Sequence, residues 1–418
     1  MFAFAVRSFA FAAAFVALAG APSVARNIPE RVLYSFHGGS DGASPQAALL
    51  PDGRGGFFGT TAYGGKIDCD NGCGTIFHLA PAAGGGYAES IDYRFERTSY
   101  EDGAHPLGGL VADASGALYA TAQSGGTFCP IDGCGAVVKL TPRAGGGYAE
   151  SVIYSFTGGD DGGDPTAGLI VDARGNLFGT TQSGGAARGG VVFELSPSGG
   201  SYVQRVIHAF GSQGGDGTYP SGPLVADATG NLYGLTAEGG AGGAGTAFVL
   251  HPSHGGYTEL QLYAFTGRGD GGAPAGALAF GPHRALYGTT SGGGPFGSGV
   301  VFSLTYGSRN GVVERVLHAF STLGARPQAG VLVDASGALY GTTALDRLPA
   351  CTQGDGCGIA FRMAPHGDAF DYSVLHVFGY GLDGSAPLAG LVGGPGGALF
   401  GTTSGGGAAG AGAVFRID

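Results

Sequence analysis

The stretch AGLIVDARGNLFGTTQSGGAARGGVVFELSPSGGSYVQRVIHAF, residues 167–210, holds one complete structural unit. Residues 167–171 are an apolar run, strand A. Asp172-Ala173-Arg174-Gly175 is a turn in which the glycine supplies the positive φ of a short hairpin. Residues 176–181 are strand B. A glycine-rich loop leads to strand C, residues 191–195. Residues 197–200 turn the chain into strand D, residues 202–210. Four short strands in roughly 55 residues fit one propeller blade. The coils of a β-helix are much shorter, and helical repeats need a 3.6-residue period that is missing.

The unit recurs. Leu177-Phe178 of Leu-Phe-Gly-Thr-Thr has counterparts at Phe57-Phe58, Leu118-Tyr119, Leu232-Tyr233, Leu286-Tyr287, Leu339-Tyr340 and Leu399-Phe400, seven copies 53 to 61 residues apart. The repeats divide as 31–90, 91–151, 152–205, 206–261, 262–315, 316–373 and 374–418, within one domain, 26–418. The chain begins with a D strand, residues 32–36, and ends with a C strand, residues 413–417. Seven A-B-C sets and seven D strands are present, but the last set lacks a D strand of its own. If residues 32–36 complete it, no bare sheet edge is left between the termini. The expected fold is all-β: a seven-bladed β-propeller of four-stranded blades, closed by the N-terminal strand.

Repeated side chains support a ring. The D strands end in Phe36, Phe95, Phe156, Phe210, Phe265, Phe320 and Phe378, and two residues earlier each carries Tyr or His. Period-2 spacing puts each pair on one strand face. The A strands carry Ala and Gly, suited to the crowded axis, so the aromatics belong in the wider spaces between blades.

Composition agrees with many short strands. Glycine supplies 89 of 418 residues without the every-third-residue period of collagen, and 43% apolar residues argue against disorder. The first residues read as a targeting segment: Arg7, an apolar run over 9–20, and Ser23-Val24-Ala25 as a cleavage site. We expect a signal peptide at 1–25, a mature chain from near Arg26, and an exported protein, periplasmic or extracellular. The position of a lipoprotein cysteine holds Ala21, no later stretch is apolar enough to span a bilayer, and the end at Asp418 shows no sorting tail. A net charge of -11 without a basic cluster argues against nucleic acid and anionic lipid as partners.

Residues 34–45 (aromatic-Ser-Phe-x-Gly-Gly-x-Asp-Gly-x-x-Pro) and 334–343 (Asp-x-x-Gly-x-Leu-Tyr-Gly-Thr-Thr) resemble the Gloeo/Verruco (GloVer) tandem repeat, and the resemblance runs from about residue 31 to the end. It implies an exported repeat protein. It implies no activity and no catalytic residues.

In a propeller the D–A and B–C loops share one face. Six D–A loops read Asp-Gly-x-x-Pro, from Asp41, Asp102, Asp161, Asp216, Asp270 and Asp383; the sixth repeat has Leu323 instead. Converging oxygens suit a hard cation, and Asp160, Asp161 and Asp164 are the densest candidate for calcium, but a solitary Asp per blade is also what a turn cap requires. No other cofactor is expected. Asp52, Asp113, Asp172, Asp227 and Asp334 sit in A–B turns and read as caps.

All six cysteines fall in three lengthened B–C loops: Cys69 and Cys73, Cys129 and Cys134, Cys351 and Cys357. An oxidising compartment makes local disulfides the expected pairing, with cross-pairing between the first two loops as the alternative. These loops break the sevenfold symmetry. Lys66, Asp68, Asp70, Asp132, Asp346, Arg347 and Asp355, with Asp102 and His105, are therefore candidates to contact a ligand, a glycan or a protein. No nucleophile elbow, zinc pattern or phosphate loop appears. The expected role is a non-catalytic binding or surface-structural module. The alternative is a glycan-active enzyme, a hydrolase or lyase, using Glu101 with Asp102 or Asp41, since glycoside hydrolysis needs two carboxylates at a set separation.

Overall fold

The computed structural model describes residues 30–418 apart from 67–68, 70, 97–101, 128, 130–132, 213–214, 308–310, 322–323, 346–356 and 380. Seven antiparallel sheets form a seven-bladed β-propeller. Blade 3 shows the common order: Ile170–Val171, Leu177–Thr181, Val191–Ser198 and Ser201–Ala209. In blade 7 the outer strand is Glu30–Ser35, paired antiparallel with Ala413–Ile417, with Val32 opposite Phe415. The ring is closed by the N-terminal strand.

Strand A is shorter than the apolar runs imply. Residues 167–171 contribute only Ile170 and Val171 to the ladder. A carbonyl of the A segment bonds instead to the preceding blade. The Thr that follows the strand B glycine, or Ala120 in its place, donates its hydroxyl to a carbonyl of the following blade's A segment: Thr60 to Gly108, Thr121 to Ala167, Thr180 to Gly222, Thr289 to Ala329, Thr342 to Ala389 and Thr402 to Ala47, at 2.8–3.4 Å. Blade 4 has Leu235 at this position, and Ser221 takes over the seam by donating to Pro274 O at 2.6 Å. Each seam thus carries one such bond, worth about 1 kcal/mol net.

The apolar core lies between blades. Phe36, Phe156, Phe210, Phe265, Phe320 and Phe378 each meet the strand C phenylalanine of the next blade edge-on or tilted, 4.8–5.3 Å between centroids. Full burial of each contributes roughly 2–3 kcal/mol. A bulge at the same place in every C–D pairing adds one residue and turns the strand's end toward its neighbour.

The strand C ring lies over the strand B glycine. A methyl group on Gly341 would stand 2.6 Å from Phe361 Cζ. Blade 2 shows the reciprocal solution: Ala120 stands at the glycine position and Val138 at the phenylalanine position. Gly341→Ala should therefore destabilise by about 1–3 kcal/mol through overpacking. Combined with Phe361→Val it should cost less than the sum of the two single changes, with a coupling of about 1 kcal/mol or more in a denaturant double-mutant cycle. Additive costs would contradict this packing. Separately, Phe36→Ala should lower stability by about 3–5 kcal/mol, measured the same way, because it opens a cavity at the closing seam.

Candidate functional site: the loop face and the axial mouth

D–A and B–C loops share a face, joined by the bridges Ala43–Tyr63, Gly163–Ser183, Ala325–Leu345 and Ser385–Gly405. The face surrounds an axial cavity of about 350 Å³ lined by A segments, among them Gln46, Gly108, Thr166, Ser221, Ala277 and Gln328. No acidic, basic or histidine side chain lines it among the described residues.

The D–A loop carboxylates are held inside their own loops. Asp41 accepts from the Tyr34 hydroxyl at 2.9 Å, the His37 N–H at 2.9 Å and the His37 ring at 3.0 Å. Asp161 and Asp270 repeat the pattern with Tyr154 and Thr157, and with Tyr263 and Thr266. Asp216 accepts from Gly211 N–H and lies 3.8 Å from His208. Asp383 accepts from Gly379 N–H and His376. Burial alone would raise the carboxyls of Asp41, Asp270 and Asp383, but these hydrogen bonds outweigh it and hold them below the usual range. The Tyr and His of the D strands, read from sequence as packing groups, are thus also the partners of these aspartates.

A further carboxylate belongs to five of these clusters, and the sequence reading missed it. Six residues before the D-strand phenylalanines stand Glu30, Glu89, Glu150, Gln204, Glu259, Glu314 and Tyr372. Glu89 interacts with Asp41 and Tyr34 across the seam. Burial, reinforced by Asp102, Asp216 and Asp270 respectively, pushes Glu150, Glu259 and Glu314 up to about 7. Glu30 is likewise pushed up to about 7 by burial. In blade 3, Gln204 fills the position and donates to Asp161 O at 3.3 Å. In the seam between blades 5 and 6, His318 stacks on Tyr372 at 3.8 Å and is pushed down to about 4 by burial.

The remaining candidates divide. Lys66 pairs with Glu96. His105 Nδ1 is 2.7 Å from Ser124 Oγ and its ring meets Tyr63 edge-on. Asp102 is part-buried beside Glu150. Asp164 accepts from Ser183 Oγ at 2.7 Å, Asp161 is engaged as above and Asp160 is exposed; no group of three or more metal-binding side chains gathers among the described residues. Cys69–Cys73 and Cys129–Cys134 are disulfides with Cα atoms 5.1 and 5.4 Å apart. Cys357 is disulfide-bonded, while Cys351 lies outside the described residues, as do Asp68, Asp70, Glu101, Asp132, Asp346, Arg347 and Asp355. No helix among the described residues is long and apolar enough to cross a membrane.

A second repeated feature sits nearer the axis. The residue before each D–A proline has positive φ: Ser44 (56°), His105 (57°), Asp164 (54°), Tyr219 (58°), Ala273 (50°), Arg326 (54°) and Ala386 (50°). A residue before proline disfavours helical backbone, and non-glycine residues rarely adopt the left-handed region. The conformation persists because each N–H is bonded to a carbonyl of the preceding blade, as His105 to Cys73 at 2.9 Å and Arg326 to Ser298 at 3.0 Å. Seven equivalent, strained backbone positions thus carry six different side-chain types around one mouth.

Fold and face together define a seven-bladed β-propeller repeat protein. The chain belongs to the Gloeobacter/Verrucomicrobia repeat family, whose model matches residues 131–348 and 262–418. A search of the curated proteins found no match. Among solved structures, a Bacteroides fragilis protein provisionally assigned as a 6-phosphogluconolactonase is 13% identical, covers 84% of this chain and 88% of its own, and superposes with a TM-score of 0.52. A luciferin-regenerating enzyme is 14% identical over 74% of this chain and 90% of its own, with a TM-score of 0.43. A Thermus thermophilus protein provisionally assigned as a glucose dehydrogenase-type oxidoreductase is 20% identical over 82% and 98%, with a TM-score of 0.41. The likeness to the first of these is one of fold.

The seam clusters set a pH dependence. A glutamate raised in the folded state stabilises fully below its ordinary value near 4.5 and loses that contribution as pH rises through about 7. Glu314→Gln copies blade 3, where Tyr154, Asp161 and Gln204 take the places of Tyr263, Asp270 and Glu314. It should raise the thermal midpoint at pH 8 and leave it unchanged at pH 4, read by calorimetry. An equal shift at both pH values would contradict this origin.

Proposed function

We propose that the chain is an exported, non-catalytic binding module whose ligand docks on the loop face over the axial mouth. The observation that carries this reading is the set of seven pre-proline positions, uniform in backbone and varied in side chain. A purely structural need for positive φ is met best by Gly or Asn; here Tyr, Arg, His and Asp fill the positions. Strained backbone that its surroundings hold in place is a pointer to function. The absence of titratable groups from the described lining of the axial cavity supports binding rather than turnover.

The chemistry of the face favours a glycan. Tyr63, Tyr219 and Phe296 are 36%, 44% and 63% exposed and offer flat apolar surfaces. Gln46, Thr166 and Gln328 supply neutral hydrogen-bonding groups in the axial cavity. Such a mixture suits a polyhydroxylated ring. Two disulfides in the loops of blades 1 and 2 fit an oxidising compartment, and the first 25 residues are assigned to a cleaved signal.

Full-length protein on a polysaccharide array should give hits that it does not degrade in a parallel turnover assay. Tyr219→Asn, which keeps a residue tolerant of left-handed backbone, should weaken those hits about tenfold, whereas Val203→Thr on the outer strand should not. Degradation of a hit by the purified protein would overturn the non-catalytic reading. N-terminal sequencing of protein recovered from cell fractions should begin near Arg26; an intact Met1 in the cytoplasm would overturn export.

A further inference from the structure

The D–A loop that enters blade 6 departs from the others in charge. Six D–A loops carry an Asp; blade 6 carries Leu323 in its place and adds Arg326 at the pre-proline position. Relative to the Ala386 loop, one anion is gone and one cation is gained. Arg326 is exposed and makes no ion pair among the described residues. Its backbone is fixed on both sides, donating to Ser298 O at 3.0 Å and accepting from Ala344 N–H at 3.1 Å.

A cavity of about 420 Å³ opens beside it, lined by Arg326, Gln328, Leu345, Ser385, Leu388 and Ser404 among others. Ser385 is wholly buried, and its hydroxyl has no hydrogen-bond partner among the described residues. The corresponding residues are Ala43, Ala104, Gly163, Thr218, Gly272 and Ala325, so the fold does not need a hydroxyl here. A buried polar group without a partner is costly unless something else satisfies it. The nearby Asp383 is occupied by Gly379 and His376. Glu30 shares this seam with His376 and Asp383, and burial pushes its carboxyl up to about 7.

We propose that this cavity binds a carboxylate-bearing saccharide unit. Arg326 holds the carboxylate, for which its planar fork is matched. Ser385 and Gln328 meet ring hydroxyls, and Leu345 and Leu388 face the apolar side of the ring. The proposal rests on the loop-face reading above and names the ligand class.

The test is calorimetric titration of the full chain, Arg326→Asn and Ser385→Ala with an oligogalacturonate and with a neutral galactan oligosaccharide of equal length. Asn accepts the left-handed backbone, and Ala stands at the equivalent position in three other blades, so both variants should melt as the parent does. The parent should bind the uronide at least about tenfold more tightly than the neutral chain, and raised salt should weaken it. Arg326→Asn should erase the preference, and Ser385→Ala should weaken uronide binding severalfold. A preference that survives Arg326→Asn, equal affinities, or no uronide binding overturns the proposal. If array hits of another kind still depend on Tyr219, the loop-face reading stands and the seam assignment alone fails.

Discussion

The contact on which the structure depends is a phenylalanine of one blade's outer strand seated against a phenylalanine of the next blade's strand C. Phe36 on Phe77 is one turn of this ring, and it exists only because the N-terminal strand is the outer strand of blade 7. Each blade is a sheet with little core of its own, so its apolar burial is shared with two neighbours. Leaving one seam open would expose apolar rings and an unpaired sheet edge together, which makes closure a condition of stability rather than an ornament of the topology. The glycine beneath the strand C ring and the hydroxyl bonded across each seam are adjustments to that contact: in blade 2 the glycine changes together with its ring, and in blade 4 Ser221 supplies the bond that Leu235 cannot.

Closure also shapes the loop face. The pre-proline residues hold a backbone conformation they would not choose, because an N–H of one blade is bonded to a carbonyl of the blade before it. Seven such positions share one backbone conformation and one hydrogen bond, and their side chains vary from blade to blade. The aspartates, for which the sequence left both a cation site and a turn cap open, hold their own loops in place. They are tied to the Tyr or His of the D strand, whereas the pre-proline positions are the ones whose side chains vary from blade to blade.

The architecture was legible because its determinants are periodic and local: Leu-aromatic-Gly-Thr-Thr or a close variant of it recurs seven times, and the count of D strands against A-B-C sets implies the closing strand. The seam chemistry was harder to read. The partners of Thr60, Thr121 and Thr402 lie 48, 46 and 355 residues away, and no local pattern announces them. Strand A was read too long for that reason. Glu30, Glu89, Glu150, Glu259 and Glu314 did recur at a fixed distance from the D-strand phenylalanines, a signal the aromatic pattern hid. The left-handed pre-proline backbone runs against local preference and could be reached only through tertiary hydrogen bonds. Blade 6 was legible as an exception through Leu323 and its long loop, but the cavity beside Arg326 needed blade 7.

The closing strand can be tested directly. Arg31 and Arg416 are Cα partners across the last pairing of the ring. With Arg31→Cys and Arg416→Cys introduced together, oxidation of dilute protein should form a disulfide within one chain, seen by mass spectrometry of the linked peptides, and should raise the denaturation midpoint. Failure to link within the monomer, or linkage only between chains, would contradict a propeller closed by its own N-terminus.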